Sequence, residues 1–203
     1  MSDVLDADPA RSCGLRERKK ARTRAAIREH ALRLFREQGY TETTVEQIAE
    51  AAEVSASTFF RYFPTKEDVV LQDDFDPIAI EKFEAQPADL HPIAALRAAM
   101  RETFAEAPAG AIEQWRELSR LTMAVPELRA RALDEYMRSV EMAAGLMAKR
   151  LGRNPDDFAI RMLAGALVGI GMSVMIIVME DPAADIMALM DAGLARLEAG
   201  LPL

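Results

Sequence analysis

The sequence predicts an all-α protein, a small three-helix N-terminal head followed by a larger helical body, on three observations. Apolar residues recur at three- and four-residue spacing along the chain, and no segment alternates at the two-residue period of a strand. Helix-starting Ser, Thr and Pro and helix-stopping Gly punctuate these segments at short intervals. Charge is unevenly divided: residues 11–66 carry twelve Lys and Arg against seven Glu, a net of +5, residues 1–10 contribute −3, and residues 67–203 carry a net of −10. The overall charge of −8 therefore hides a basic head on an acidic body. With 203 residues, 50% apolar and 29% charged, the composition excludes disordered and fibrous classes and is enough to bury a core.

Residues 1–15 are polar and aperiodic and read as a flexible tail, without the basic and apolar regions of a secretory signal, which predicts a cytoplasmic protein. Cys13 cannot close an internal disulfide and has no assigned role; His30 and His91 cannot furnish a zinc set, so neither metal nor cofactor is expected. From Arg16 to Gln38, Ile27, Ala31, Leu34 and Phe35 mark a first helix, which Gly39 stops. Thr44 starts a short second helix with Val45, Ile48, Ala49 and Ala52 on one face, and Gln47 stands three residues on as a capping-box partner. Ser55 caps a third helix through Tyr62, turning Phe59 and Phe63 inward, and Pro64 ends it.

A fourth helix is expected over Lys66–Asp74, capped by Thr65, and Pro77, Pro87 and Pro92 break the stretch beyond it. Helical spacing resumes at Ile93–Phe104 and Ile112–Thr122, and Glu127–Leu151 is a long helix closed by Gly152. Pro155 is placed in the first turn of the next helix, to about Glu180, and Pro182 at the opening of the last. Residues 162–179 hold no charge, yet Gly165, Gly169 and Gly171 and the lack of a Lys/Arg cluster at either end favour a homodimer seam over a membrane span. Gly165, Gly169 and Met172 are the candidate seam residues, the glycines because they let a partner helix approach closely.

A capped helix, a short turn and a second short helix make a helix-turn-helix, whose second helix enters the major groove of DNA. Residues 44–68, TVEQIAEAAEVSASTFFRYFPTKED, with the basic ERKKARTR and the run IREHALRLFREQGY before them, resemble the DNA-binding head of the TetR family of bacterial one-component transcriptional regulators. The resemblance covers about residues 16–75. It implies a helix-turn-helix DNA-binding domain over 16–64 and a helical ligand-binding and dimerisation domain over 65–203. It also implies a repressor that a small-molecule effector releases from a palindromic operator. The family usually has glycine where Ser57 stands and tyrosine where Phe60 stands, so the phosphate bond of that phenol is missing here.

Chemistry assigns roles independently. Arg61 can make two hydrogen bonds to guanine O6 and N7, Ser57 and Thr58 offer short hydroxyls, and the methyls of Ala56 and Thr58 suit a thymine methyl. For Ser57 and Thr58 the alternative is capping beside Ser55. Candidate phosphate contacts are Lys20, Arg22 and Arg24 before and within the first helix, Thr44 and Ser55 at helix starts, Tyr62 through its phenol, and Lys66. Arg16, Arg18 and Lys19 belong to the same basic group.

In the body, Phe104, Trp115, Met123, Met137 and Met172 are the candidate lining of an adaptable apolar pocket, against the alternative of ordinary core. Arg97, Arg101 and Arg116 form a candidate basic patch in the acidic body. The chain holds no GxxxxGK[ST], GxSxG or HExxH, and no cysteine beside a base, so an enzyme is not expected. The alternative to a regulator is a ligand-binding helical dimer without DNA binding.

Overall fold

The computed structural model describes residues 9–72, 75–181 and 183–201, with side chains from Lys19 onward except those of Phe75 and Asp76. Among the described residues there are ten helices and no strand: α1 (Pro9–Gln38), α2 (Val45–Ala51), α3 (Ala56–Tyr62), α4 (Asp68–Leu71), α5 (Phe75–Ala85), α6 (Pro92–Ala105), α7 (Ala111–Ala124), α8 (Pro126–Leu151), α9 (Phe158–Glu180) and α10 (Ile186–Glu198). Two units partition the chain, Met1–Val70 and Leu71–Leu203. That boundary lies six residues later than the one expected after Pro64.

The head is built around aromatic side chains. Ile27, Ala31, Leu32 and Phe35 of α1, Ile48 and Ala49 of α2, Phe59 of α3, and Tyr40, Phe63, Val69 and Val70 are all buried. The Phe59 and Phe63 rings lie 6.0 Å apart, and Phe35 and Tyr40 5.0 Å apart. Gly39 leaves α1 at φ 90°, a left-handed conformation that lets the chain turn sharply into α2. The capping box forms: Gln47 N–H donates to Thr44 Oγ1 at 3.2 Å and Thr44 N–H to Gln47 Oε1 at 2.9 Å.

Between α2 and α3 the chain reverses over residues 52–55. Glu53 N–H donates to Glu50 O and Val54 N–H to Ala49 O, the paired bonds of a Schellman turn. That turn needs a left-handed residue, and Glu53 supplies it at φ 53° without being glycine.

Several expected boundaries shift. Residues 1–8 of the expected tail lie outside the described residues, but residues 9–15 are already helical, with Pro9 at the first position of α1, where its missing N–H loses no bond. The fourth helix is a single turn, Asp68–Leu71, and Asp73 and Asp74 lie outside the described residues. Its cap is reciprocal: Asp68 Oδ2 accepts from Thr65 N–H at 2.8 Å and from the Thr65 hydroxyl at 2.9 Å. Pro77 does not break a helix but sits in the first turn of α5, where its missing N–H has no partner to lose. Pro155 precedes its helix and Pro182 lies outside the described residues; Asp157 and Asp185 cap α9 and α10 with side-chain acceptors.

The body has two apolar clusters. One joins Phe83 of α5, Ile93, Ala95 and Ala99 of α6, Ala144, Met147 and Ala148 of α8, Ile160, Ala164 and Leu167 of α9, and Leu194 of α10. The other gathers Phe104, Ile112, Trp115, Leu189 and Met190 around Val174, Val178 and Ile186. Arg150 of α8 fastens the α5–α6 connection, donating to the carbonyls of Phe83, Pro87 and Leu90 with its guanidinium over the Phe83 ring. Arg97 of α6 fastens α10 through two 2.9 Å bonds to Asp191 and one of 3.0 Å to Glu198. The Arg97 bond overcomes the effect of desolvation and holds the Asp191 carboxyl below its ordinary value.

Candidate nucleic-acid interface

The single buried residue of α3 is Phe59, and the helical period places Ser57 and Arg61 opposite it, with Phe60 beside Ser57 and Ala56 nearer the Phe59 side. All four are exposed. Of the candidate base contacts Ala56, Ser57, Thr58 and Arg61, the structure sets Ser57 and Arg61 on this outward face. Arg61 lies with its guanidinium carbon 5.4 Å from the Tyr62 ring centroid, on a helix held rigidly by its aromatic underside. Phe60, 48% exposed and edge-on to Phe59, adds an apolar surface to the same face.

The hydroxyls at the start of α3 bind one another. Ser55 Oγ accepts from Thr58 N–H at 3.1 Å and donates to Thr58 Oγ1 at 3.0 Å, and Ser57 Oγ lies 2.9 Å from Ser55 Oγ. Ser55 is the cap, and of the two residues for which capping was the alternative, Thr58 is bound into it through its N–H and hydroxyl and is half-buried on the flank of the helix. Ser57 keeps its exposed position with its hydroxyl turned toward the cap.

Lys66 is held by its own chain. Its Nζ donates to the carbonyls of Tyr40 and Thr43, both at 2.9 Å, and lies 4.2 Å from the Tyr40 ring centroid. An ammonium has three donors, so one remains for an anion. Beside it, burial would raise the Glu67 carboxyl, but hydrogen bonds from backbone, Thr65 and Tyr40 together with the Lys66 charge outweigh burial and lower it. Lys66 is first a clamp on the α1–α2 turn.

Arg24 is likewise drawn inward, donating to Tyr62 O at 3.3 Å with its guanidinium 4.5 Å from the Phe63 ring centroid. Arg28, one turn on, is buried; its Nε donates to Val69 O at 3.1 Å. Sequence reading passed over Arg28, although its spacing from Arg24 and Ala31 puts it on the core face of α1. Lys20 and Arg22 are exposed, as is Lys19, whereas the side chains of Arg16 and Arg18 and of Cys13 lie outside the described residues. Thr44 is exposed, but its own amide is engaged in the capping box. Tyr62 is half-buried.

In the body, Phe104 and Trp115 pack together against Val174 and Val178, and Met123 is half-buried on α7. Met137 and Met172 do not turn inward as pocket residues: both are exposed, on the outer sides of α8 and α9. Gly165 and Gly169 have open space where a Cβ would stand. Arg97 and Arg101 face Asp191, so they do not form one patch with Arg116.

A match to known families covers most of the chain. Residues 27–72 match the family described as bacterial regulatory proteins, tetR family, and residues 90–202 match the family described as MftR C-terminal domain. The HTH-type transcriptional regulator TcmR of Streptomyces glaucescens is 36% identical over 166 residues, 78% of this chain and 74% of that protein. Among solved structures, FadR of Thermus thermophilus, a TetR-family transcriptional repressor in complex with lauroyl-CoA, is 27% identical. It has a TM-score of 0.56, covering 89% of this chain and 95% of that one. NalD of Pseudomonas aeruginosa, at 20% identity and a TM-score of 0.54 over 90% and 97% of the two chains, shares the fold. A helix-turn-helix head, an all-helical body and these matches agree: the chain belongs to the TetR family of bacterial transcriptional regulators, DNA-binding proteins rather than enzymes.

Proposed function

We propose that this regulator is a homodimeric repressor that occupies a near-palindromic operator with its two heads and leaves it when a small apolar effector enters the body. The dimer rests on one observation, the outer side of α9. Phe158, Met162, Gly165, Gly169, Met172 and Ile176 succeed one another at alternating steps of four and three, the period of a helix packed along another helix. The four large side chains of this row are exposed, Phe158 at 76%, and Leu133 and Met137 of α8 are exposed one turn apart. Helix α9 is long and apolar enough to cross a membrane, and 22% of its most apolar eighteen-residue stretch is buried in one chain. Its other side is core, with Ile160, Ala164, Leu167, Val174 and Val178 buried. A helix with one face in the core and a heptad row on the other suits a second copy better than lipid on all sides.

Each head would set α3 in the major groove, the two separated by about 34–36 Å on one face of the duplex. Arg61 would read guanine, Ala56 and Ser57 would contact base edges beside it, and Thr58 would assist from the flank. Lys20 and Arg22 would hold phosphates, with smaller shares from Thr44, Ser55, Tyr62, Arg24 and the remaining donor of Lys66. The chain passes between units within α4, and effector binding is proposed to shift this turn so that the heads no longer match successive grooves. That requires only that the effector bind the two states with different affinity. The lauroyl-CoA complex of the Thermus relative supports an effector with an apolar chain, and a DNA regulator of this family would work in the cytoplasm.

Selection of bound duplexes from a random pool, then sedimentation and mobility shifts with and without lipophilic compounds, tests the proposal. Two chains on each inverted-repeat duplex, released by a subset of compounds, is the expected result. A dimer that ignores every duplex at low ionic strength would favour a ligand-binding helical dimer without DNA binding.

A further inference from the structure

Building on the proposed role of the body as an effector module, we infer that the effector is an organic acid, apolar except for a carboxylate that Arg116 receives. Arg116 lies on α7 and is 9% exposed. Its Nη2 donates to Ala184 O at 2.7 Å, while Nη1 is buried without a hydrogen-bond partner among the described residues. Its nearest described carboxylate, Glu113, stands 3.9 Å from Nε, is largely exposed, and is also approached by Arg120 at 3.4 Å. A guanidinium stays charged at any physiological pH, and a buried charge with an open donor is costly until an anion completes it.

The surroundings of Arg116 point the same way. Ser119 and Thr122 follow Arg116 on the inward side of α7 at three-residue steps and are buried too, the Thr122 hydroxyl donating to Leu118 O at 2.9 Å. The Thr122 hydroxyl is satisfied within its own helix, so the open polar atom on this inward face is Nη1 of Arg116 itself. Arg97 offers the contrast: it is as firmly held as Arg116 but is completed by Asp191 and Glu198 of its own chain. The apolar lining lies next to the guanidinium, because Ala184, whose carbonyl Arg116 holds, packs in the cluster with Phe104, Ile112 and Trp115. A carboxylate at Nη1 with an aromatic or aliphatic remainder against Trp115 fits both halves. In a body of net negative charge, such a fixed cation is what an acid needs in order to enter.

The test uses the full-length protein with benzoate as probe and benzamide as its neutral counterpart, by calorimetry and by thermal shift. Wild type should bind benzoate roughly tenfold to a hundredfold more tightly than benzamide, the worth of one charge-assisted bond. Arg116→Gln should lose that preference while binding benzamide unchanged, and Arg116→Lys, which keeps the cation, should retain part of it and guards against a folding defect. No benzoate binding, no preference in wild type, or a preference that survives in Arg116→Gln would overturn the inference. Duplex binding without probe separates the two proposals. If wild type binds no duplex, the repressor reading fails while the acid preference stays readable; normal duplex binding without acid preference removes the role of Arg116 alone.

Discussion

Replacing Lys66 by methionine keeps the aliphatic stem and removes the ammonium that holds the turn between α1 and α2. Two bonds of 2.9 Å to the carbonyls of Tyr40 and Thr43 are lost, along with the contact with the Tyr40 ring. Hydrogen bonds to a charged group are each worth about 1.5–3 kcal/mol and an exposed cation–π contact about 0.5–1 kcal/mol. Because one cation makes all three contacts, they do not add in full, and a loss of about 2–4 kcal/mol is expected. That is a large share of the stability of any small unit. Denaturant unfolding monitored by circular dichroism, without DNA, should show a lower midpoint for the variant. Duplex affinity measured across a salt series supplies the second axis: a lysine that only contacts phosphate would leave unfolding untouched and flatten the salt slope by about one unit. An unchanged midpoint with a flattened slope would refute the clamp.

Three other contacts carry outcomes of their own. Glu53→Gly should raise stability by about 0.5–1 kcal/mol, because φ 53° is a conformation glycine adopts freely, and thermal unfolding measures it. Gly193→Ala should lower the melting temperature, since the new methyl would stand 2.7 Å from Ile170 Cγ2. Overpacking at about 1–3 kcal/mol exceeds the helix gain of about 1 kcal/mol, and Ile170→Leu in the same chain should recover part of the loss. Asp191→Asn should destabilise the body at neutral pH but not in acid. The carboxyl is held below the ordinary 3.8, so its contribution is present above that value and lost as pH falls through the lower folded value. Unfolding curves of both proteins from pH 7 to pH 2 should therefore converge.

Local chemistry was legible and distant contacts were not. The Thr44–Gln47 box, the Ser55 cap, the inward Phe59 and Phe63 and the stop at Gly39 each depend on residues a few positions apart, and all appear in the structure. Lys66 and Arg150 bind carbonyls 26 and 60 residues away, among others, and nothing in their neighbourhoods distinguishes them from solvated cations; Arg28, bound to a carbonyl 41 residues away, is marked only by its place on the core face of α1. Proline misled in both directions for one reason. Its missing N–H is harmless anywhere in the first turn of a helix, so Pro77 fits inside α5, while Pro155 stays outside α9 and leaves its capping to Asp157. Methionine at helical spacing does not reveal which side of a helix meets the core, which is why Met137 and Met172 were expected inside and lie outside.

Whether the outward face of α3 reads the operator is decided by the base preference of Arg61→Ala, measured on duplexes selected with the wild type and then altered one pair at a time. A loss of about 1–3 kcal/mol is expected, with a relaxed preference at one guanine in each half-site and the other positions discriminated as before. An unaltered preference at every position would mean that some other surface of the head does the reading.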